Sequence, residues 1–199
     1  CTKLRVETAS SFYHKFGIAV VESYGLIEVG IPIGEIVSEL NDYQAMPGRI
    51  GIALPAYEAA VLVDGVISKS GKGALMVRGP GMFDAYLFPF IPRDKVLLDG
   101  WFETSDLAEI DPNGLIRIIG RTGSAINISG FKVFPEEIEE VLLACKGIKD
   151  VQVCGLKHPI YGATIHAKLV VEDRKSITES RILEHCREEL GSVKTPHSL

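Results

Sequence analysis

The stretch Leu97–Arg121, LLDGWFETSDLAEIDPNGLIRIIGR, contains two short apolar runs on either side of a tight turn. The turn is DPNG at Asp111–Gly114, where proline and glycine supply the restricted backbone angles of a hairpin. We therefore predict a β-hairpin here. Antiparallel pairing brings its outer ends, with Asp106 and Arg121, together. From the hairpin alone, this pair is most simply a surface ion pair, which adds little to stability.

The composition is that of a globular protein and excludes two classes of partner. The 199 residues are 46% hydrophobic and 24% charged, with a formal net charge of −5. No basic patch is dense enough for a nucleic acid, no apolar run is long enough to span a bilayer, and no signal peptide is visible. The chain begins with Cys1 rather than Met, so we expect it to start inside a longer protein.

The cysteines and histidines give no sign of a metal centre. The four cysteines show no CxxC or metal-ligand spacing: Cys1, Cys145, Cys154 and Cys186. We therefore expect reduced thiols in a cytoplasmic protein. No paired ligand spacing is present among the histidines either, so we interpret these as structural or surface residues: His14, His158, His166, His185 and His197.

The pattern of apolar, glycine and proline residues changes near residue 122, and this change predicts an α+β, multidomain fold. Residues 1–121 contain a short helix at 4–16, a strand in 18–25, and then short apolar runs broken by Gly and Pro, which predict a β-barrel-like region. Residues 122–199 predict a small α+β domain. It has a helix beginning at Pro135, two strands, and a second helix with Thr178 or Ser180 as its cap.

Five stretches resemble, in order and approximate spacing, the adenylate-forming superfamily of acyl-CoA and aryl-CoA ligases, luciferases and peptide-synthetase adenylation domains. They are ESYGLIE, GRIGIALP, GALMVRGPGMFDAYL, DGWFETSDLAEIDPNGLIRIIGR and INISGFKVFPEEIEEVL. The acyl-CoA ligases are the most similar group. The resemblance implies a parent enzyme that uses ATP to activate a carboxylic acid as an acyl-adenylate, releases pyrophosphate, and transfers the acyl group to CoA.

The resemblance also implies an ATP and AMP site. The residue matching Asp106 accepts hydrogen bonds from both ribose hydroxyls, for which a carboxylate is well suited, and Arg121 reaches the ribose and the phosphates. Tyr24 stacks on adenine, and Gly25 lets the backbone approach the nucleotide. Ile118 either packs against the nucleoside or is an ordinary core residue.

The same motif implies a metal ligand and contains one departure from the family. The residue matching Glu28 binds Mg²⁺, which prefers oxygen ligands. The next position back is usually Thr or Ser, whose hydroxyl touches the α-phosphate, but this chain has Ile27. An alkyl side chain cannot make that hydrogen bond.

By resemblance, the small domain carries a hinge and a CoA site. The hinge position is Gly123, commonly Asp or Lys in the family, and glycine still permits rotation. The loop of Ser129, Gly130 and Lys132 resembles the lining of the pantetheine tunnel, although Lys132 is equally well explained as a solvated lysine at a strand end. We interpret Pro135, Glu136 and Glu137 as residues that begin a helix, where acidic side chains interact favourably with the helix dipole, and not as catalytic residues.

Two family segments are absent from these 199 residues: the Gly/Ser/Thr-rich phosphate loop and the PKxxxGK segment with the catalytic lysine. We therefore expect a carboxy-terminal fragment that has no catalytic residue and is inactive alone. Its partners as a ligase are a carboxylic acid, ATP and CoA. The alternative is a non-catalytic nucleotide-binding or interaction module that kept the fold, which the residues at 27 and 123 favour.

Overall fold

The structure is a computed structural model that describes residues 6–35, 49–172 and 178–199. The chain divides into two compact units, Cys1–Ile119 and Gly120–Leu199. Each unit has its own hydrophobic core. The α+β fold class is confirmed, while the assignment of domains at 1–121 and 122–199 stays a prediction.

The first unit begins with helix α1, Val6–Phe16, which is followed by Gly17 at φ +66°. Glycine tolerates this left-handed angle and so suits a helix end. The strand predicted over 18–25 is shorter than expected, because β1 spans Ser23–Leu26. Its register with β2 begins at Ser23, which pairs with Gly34, the last residue of β2.

The rest of the first unit is built from strands. An eight-stranded sheet has the order β1-β2-β3-β10-β9-β6-β4-β5, and β7 and β8 form a separate hairpin. Among the described residues the edge strands β1 and β5 do not pair, so the expected barrel-like region is an open sheet and not a closed barrel. The strands after β1 are β2 Gly30–Gly34, β3 Arg49–Ala53, β4 Glu58–Val63, β5 Val66–Ser68, β6 Gly71–Arg78, β7 Ala85–Leu87, β8 Phe90–Pro92, β9 Phe102–Ile110 and β10 Ile116–Arg121.

The quoted stretch forms the predicted hairpin of β9 and β10. Its turn is held by Asp111, whose Oδ1 accepts hydrogen bonds from the backbone nitrogens of Asn113 and Leu115, both at 2.8 Å. Gly114 adopts φ +83° in this turn. Along β9 buried and less buried positions alternate, so every second residue faces the core. That alternation places Asp106 on the same buried face as Ala108.

Trp101 precedes β9 and is covered by two cations. Lys69 Nζ lies 4.7 Å and Arg78 Cζ 4.4 Å from the centroid of the indole ring, and Trp101 is buried. Both cations also bind the Glu58 carboxylate. The hydrogen bonds from Lys69 and then Arg78 lower the pKa of Glu58. These contacts fix the entry to the hairpin.

Among the described residues of the second unit, two α-helices pack with two two-stranded antiparallel sheets. Its core includes residues of both helices and both longer strands. Thr178 is the N-cap residue of α-helix 179–190, which confirms one of the two predicted cap positions, although its side chain makes no capping hydrogen bond. The elements are β11 Ile126–Ile128, β12 Phe131–Val133, α2 Pro135–Leu143, β13 Ile148–His158, β14 Gly162–Val171 and α3 Glu179–Leu190. Among the described residues, no helix has the length and apolar character needed to cross a membrane.

Candidate functional site

The structure brings two of the predicted nucleotide residues together. Tyr24 on β1 is half-buried and packs against the core of the first unit. Asp106 on β9 is only 5% exposed. The Tyr24 hydroxyl donates a hydrogen bond to Asp106 Oδ2 at 2.5 Å. The phenol and the carboxylate therefore lie side by side at this edge of the core.

Thr104, which the sequence analysis did not single out, supports the backbone at Asp106. Its hydroxyl accepts a hydrogen bond from the Asp106 backbone nitrogen at 3.1 Å, and the side chain is buried. Both residues lie on the buried face of β9, because they are two positions apart. The period-two spacing in TSD was the available signal for a polar residue that faces the core beside the aspartate.

Packing within the first unit accounts for the glycine at position 25 and the isoleucine at position 118. A Cβ at Gly25 would lie 3.2 Å from the Gly30 backbone oxygen and 3.4 Å from Ile31 Cγ1. The close approach of β2 therefore favours glycine at this position without any ligand. Ile118 on β10 is half-buried and packs against the core cluster of the first unit. Its contact with a nucleoside stays a prediction.

Arg121 is the last residue of β10 and its side chain is exposed. It falls in the second unit, and its backbone oxygen accepts a hydrogen bond from Ser124 Oγ at 3.0 Å. The predicted action of Arg121 together with Asp106 on a ribose stays a prediction.

Glu28 follows β1 and contacts Tyr86, another residue that the sequence analysis did not identify. The Tyr86 hydroxyl donates a hydrogen bond to Glu28 Oε1 at 3.0 Å. Burial, and then this bond with the Glu28 carboxylate, raise the pKa of Tyr86. The preceding side chain, Ile27, is fully exposed at 100%. No periodic pattern connects residues 28 and 86, so the sequence offered no signal for this contact.

Glu28 as a ligand of Mg²⁺ stays a prediction, and the chemistry of its surroundings can be compared with that of a magnesium–nucleotide site. Among the described residues, no group of three His, Cys, Asp or Glu side chains is placed to hold a metal ion. Magnesium is commonly held by one or two carboxylates together with substrate phosphates and water. A single carboxylate with one oxygen engaged by a phenol is compatible with that mode of binding.

The second unit presents the predicted CoA loop as a tight hairpin turn. Strands β11 and β12 pair up to Ile128 and Phe131, and the turn residues Ser129 and Gly130 adopt φ +49° and +90°. Positive φ at both central positions is typical of two-residue hairpins. The Ser129 backbone nitrogen donates to the Tyr161 oxygen at 2.9 Å, which ties this turn to the turn between β13 and β14.

Lys132 and Gly123 are both exposed in this unit. Lys132 lies on β12 and pairs in register with Asn127. Gly123 lies in the short 3₁₀ turn Thr122–Ser124, and a Cβ there would meet nothing within 4 Å. The absence of close neighbours is compatible with a hinge, which stays a prediction.

Beside the 3₁₀ turn lies a cavity of about 370 Å³ within the second unit. Near it, Ser124 Oγ donates to Glu136 Oε1 at 3.0 Å, while Glu136 Oε2 is buried and has no hydrogen-bond partner. Glu136 therefore does more than begin helix α2, because it holds Ser124. The cavity is lined by Ser124, Ala125, Ile126, Asn127, Gly155, Gly162 and Ala163.

Comparison with known protein families gives two separate matches along the chain. The family model "AMP-binding enzyme" matches residues 2–87, and the model "AMP-binding enzyme C-terminal domain" matches residues 137–199. The chain belongs to the AMP-binding enzyme family. The predicted resemblance to adenylate-forming enzymes is thereby confirmed.

Similar proteins are CoA ligases and enzymes of the same fold. The chain is 32% identical to a long-chain-fatty-acid–CoA ligase of Escherichia coli O157:H7, covering 90% of the chain and 32% of the relative. It is 31% identical to a sulfoacetate–CoA ligase of Cupriavidus necator, covering 94% of the chain and 36% of the relative. The ATP-bound crystal structure of MatB from Rhodopseudomonas palustris is 30% identical, with a TM-score of 0.84 over 100% of this chain and 40% of MatB. The chain thus spans about a third of the length of these curated relatives.

Proposed function

We propose that this chain works as part of an ATP-dependent acyl-CoA ligase. In this reaction a carboxylate attacks the α-phosphate of ATP to form an acyl-adenylate and pyrophosphate. The CoA thiol then displaces AMP to form the thioester. The family membership and the CoA-ligase relatives support this class of reaction.

The observation that carries the proposal is the hydrogen bond between Tyr24 and Asp106. A carboxylate that holds a phenol already has the geometry of a hydroxyl acceptor. We propose that the ribose hydroxyls take the place of the Tyr24 hydroxyl on Asp106, and that the Tyr24 ring then stacks on adenine. Arg121 would add a cation for the ribose and phosphate oxygens.

The remaining predicted residues have supporting roles in this proposal. Glu28 would supply one carboxylate ligand to Mg²⁺, which neutralises phosphate charge when bound. Rotation about Gly123 would exchange the adenylation and thioester-forming arrangements. The turn of Ser129 and Gly130 would admit the pantetheine arm closely because glycine has no side chain there, and Lys132 would meet CoA phosphates.

The 199-residue chain alone should not catalyse the ligase reaction, because it contains neither the phosphate loop nor the catalytic-lysine segment. Incubation of the purified chain with ATP, CoA and a panel of carboxylic acids should release no pyrophosphate. The full-length protein, assayed in parallel, should release it. Pyrophosphate release by the chain alone would contradict this part of the proposal.

A non-catalytic nucleotide-binding or interaction module is the second candidate, and the exposed Ile27 favours it. This side chain stands where the resembling enzymes have a hydroxyl for the α-phosphate. The two candidates differ in the full-length protein. A ligase binds ATP and releases pyrophosphate with at least one acid, whereas a module binds nucleotide, or a partner, and releases none with any acid.

A further inference from the structure

The hairpin of β7 and β8 ends in three large apolar side chains that are almost completely exposed. Leu87 is 83% exposed, Phe88 99% and Phe90 71%. Since Leu87 pairs with Phe90 across the sheet, the turn is Phe88–Pro89 and the three side chains share one tip. Single exposed apolar residues are common, but a contiguous group of this size marks a surface that contacts something else.

The base of the hairpin is firmly attached to the first unit. The Tyr86 hydroxyl is bound to Glu28, and the Tyr86 ring lies 4.7 Å from that of Phe83. Phe83 in turn lies 6.0 Å from Phe102, a core residue at the start of β9. The tip is therefore presented on a fixed support.

The size of the tip argues against a protein partner. Two phenylalanines and one leucine present roughly 500 Å² of surface. A stable protein interface needs about 800 Å² from each partner and a complementary groove. A lipid bilayer needs no groove, accepts a protruding apolar tip, and favours aromatic residues at its interface. We propose that the tip of the β7–β8 hairpin, Leu87, Phe88 and Phe90, inserts into the interfacial layer of a lipid bilayer.

The charges around the tip indicate what kind of bilayer contact this is. Arg93 and Lys95 are exposed just after the hairpin, but Asp84 and Asp94 are exposed beside them. Asp84 lies 3.6 Å from Arg93, so the two charges are already paired. With two cations balanced by two acids, attraction to anionic lipids is small. The attachment comes from apolar insertion and is insensitive to salt.

None of Leu87, Phe88 and Phe90 is among the residues to which the proposed ligase function assigns a role. The attachment is a property added to the proposed ligase activity and does not depend on it.

Flotation of the full-length protein with phosphatidylcholine vesicles tests the proposal. The wild type should float with the vesicles, and replacing both phenylalanines (Phe88→Ala with Phe90→Ala) should lower the partition coefficient about ten-fold or more. Val66→Ala is the matched control, since Val66 is 67% exposed beside another hairpin turn of the same unit. The control should float like the wild type. Added phosphatidylglycerol or added salt should change nothing.

A second measurement does not rely on loss of binding. The single substitution Phe88→Trp should give a tryptophan emission that shifts to the blue when vesicles are added, compared with the wild type and its Trp101. Failure of the wild type to float would overturn the proposal, as would equal flotation of the alanine variant. A smaller oligomer in that variant would point to a second copy instead. Failure of a Phe88→Cys thiol to react with a water-soluble maleimide would show that the rest of the protein covers the tip.

Discussion

The hydroxyl of Tyr24 lies 2.5 Å from Oδ2 of Asp106, although the two residues are 82 positions apart in the sequence. The contact joins β1, the first strand of the sheet, to the β9–β10 hairpin. It places a hydrogen-bond donor on a carboxylate that is otherwise deep in the protein. Several predictions about nucleotide binding depend on what each partner contributes to this pair.

The substitution Tyr24→Phe removes the hydroxyl and keeps the ring. It should destabilise the first unit by about 1–3 kcal/mol, because Asp106 loses a partner in a buried position. The affinity for ATP should fall little, since the ring can still stack on adenine and the Asp106 carboxylate no longer holds the phenol. Chemical denaturation and ATP titration of the full-length protein measure the two effects separately. A large loss of ATP affinity would mean that the phenol itself binds the nucleotide.

The substitution Ile27→Thr introduces the hydroxyl that the resembling enzymes have at this position. The Ile27 side chain is fully exposed, so the change should leave stability within about 0.5 kcal/mol. If the position faces the α-phosphate, the rate of pyrophosphate release by the full-length protein should rise. Ile27→Val is the control for a change of side-chain size without a hydroxyl. Identical rates for the threonine and valine variants would exclude this position from phosphate binding.

Two glycines of the second unit should respond differently to the same change. A Cβ at Gly155 would lie 2.8 Å from Ile126 Cγ2, whereas a Cβ at Gly123 would meet nothing within 4 Å. Gly155→Ala should therefore destabilise the unit by about 1–3 kcal/mol through overpacking. Gly123→Ala should not destabilise it, and any effect should appear in the rate of thioester formation. Thermal unfolding of both variants checks the first statement, and a stable Gly155→Ala protein would contradict the close contact with Ile126.

The stability of the second unit should decrease at alkaline pH. Burial, and then the neighbouring Cys145, raise the pKa of Cys186 to about 11, while a thiol in an unfolded chain titrates near 8.5. Between these values Cys186 loses its proton first in the unfolded chain, so this group lowers stability as the pH rises, by at most about 1.4 kcal/mol per pH unit, and the pKa of Cys145, raised by burial, acts in the same direction. Denaturation midpoints at several pH values measure this slope. Cys186→Ala should flatten it, and an unchanged slope would assign the effect to other groups.

Local features of the fold were predictable because their causes are local. The DPNG turn, with its Asp111 side chain bound to the following backbone, specifies the hairpin within a few residues. Pro135 at the start of α2 and Gly17 after α1 likewise mark helix ends. The extent of β1 was not predictable, because it depends on its register with β2. The same is true of the open sheet, because closure would require pairing between β1 and β5.

In the candidate site, too, contacts within one strand could be predicted from the sequence, whereas contacts between distant segments could not. Alternation along β9 alone places Asp106 and Thr104 on one face, so their proximity follows from the sequence. The pairing of Asp106 with Tyr24, and of Glu28 with Tyr86, joins segments 82 and 58 residues apart. No periodicity connects such residues, and only the resemblance to a family suggested that Tyr24 and Asp106 belong to one site. Tyr86 lies in another stretch that resembles the family, GALMVRGPGMFDAYL, but no site residue was assigned in that stretch.

The role of Asp106 is tested most directly by ATP titration of the full-length protein and its Asp106→Ala variant. If Asp106 holds the ribose, the variant loses about two charge-assisted hydrogen bonds of roughly 1.5–3 kcal/mol each, with the usual non-additivity. Its Kd for ATP should then rise by about 100-fold or more. Tyr24→Phe loses the same internal hydrogen bond and serves as the control for stability. Equal ATP affinity of wild type and Asp106→Ala, with both proteins folded, would contradict the proposed nucleotide site.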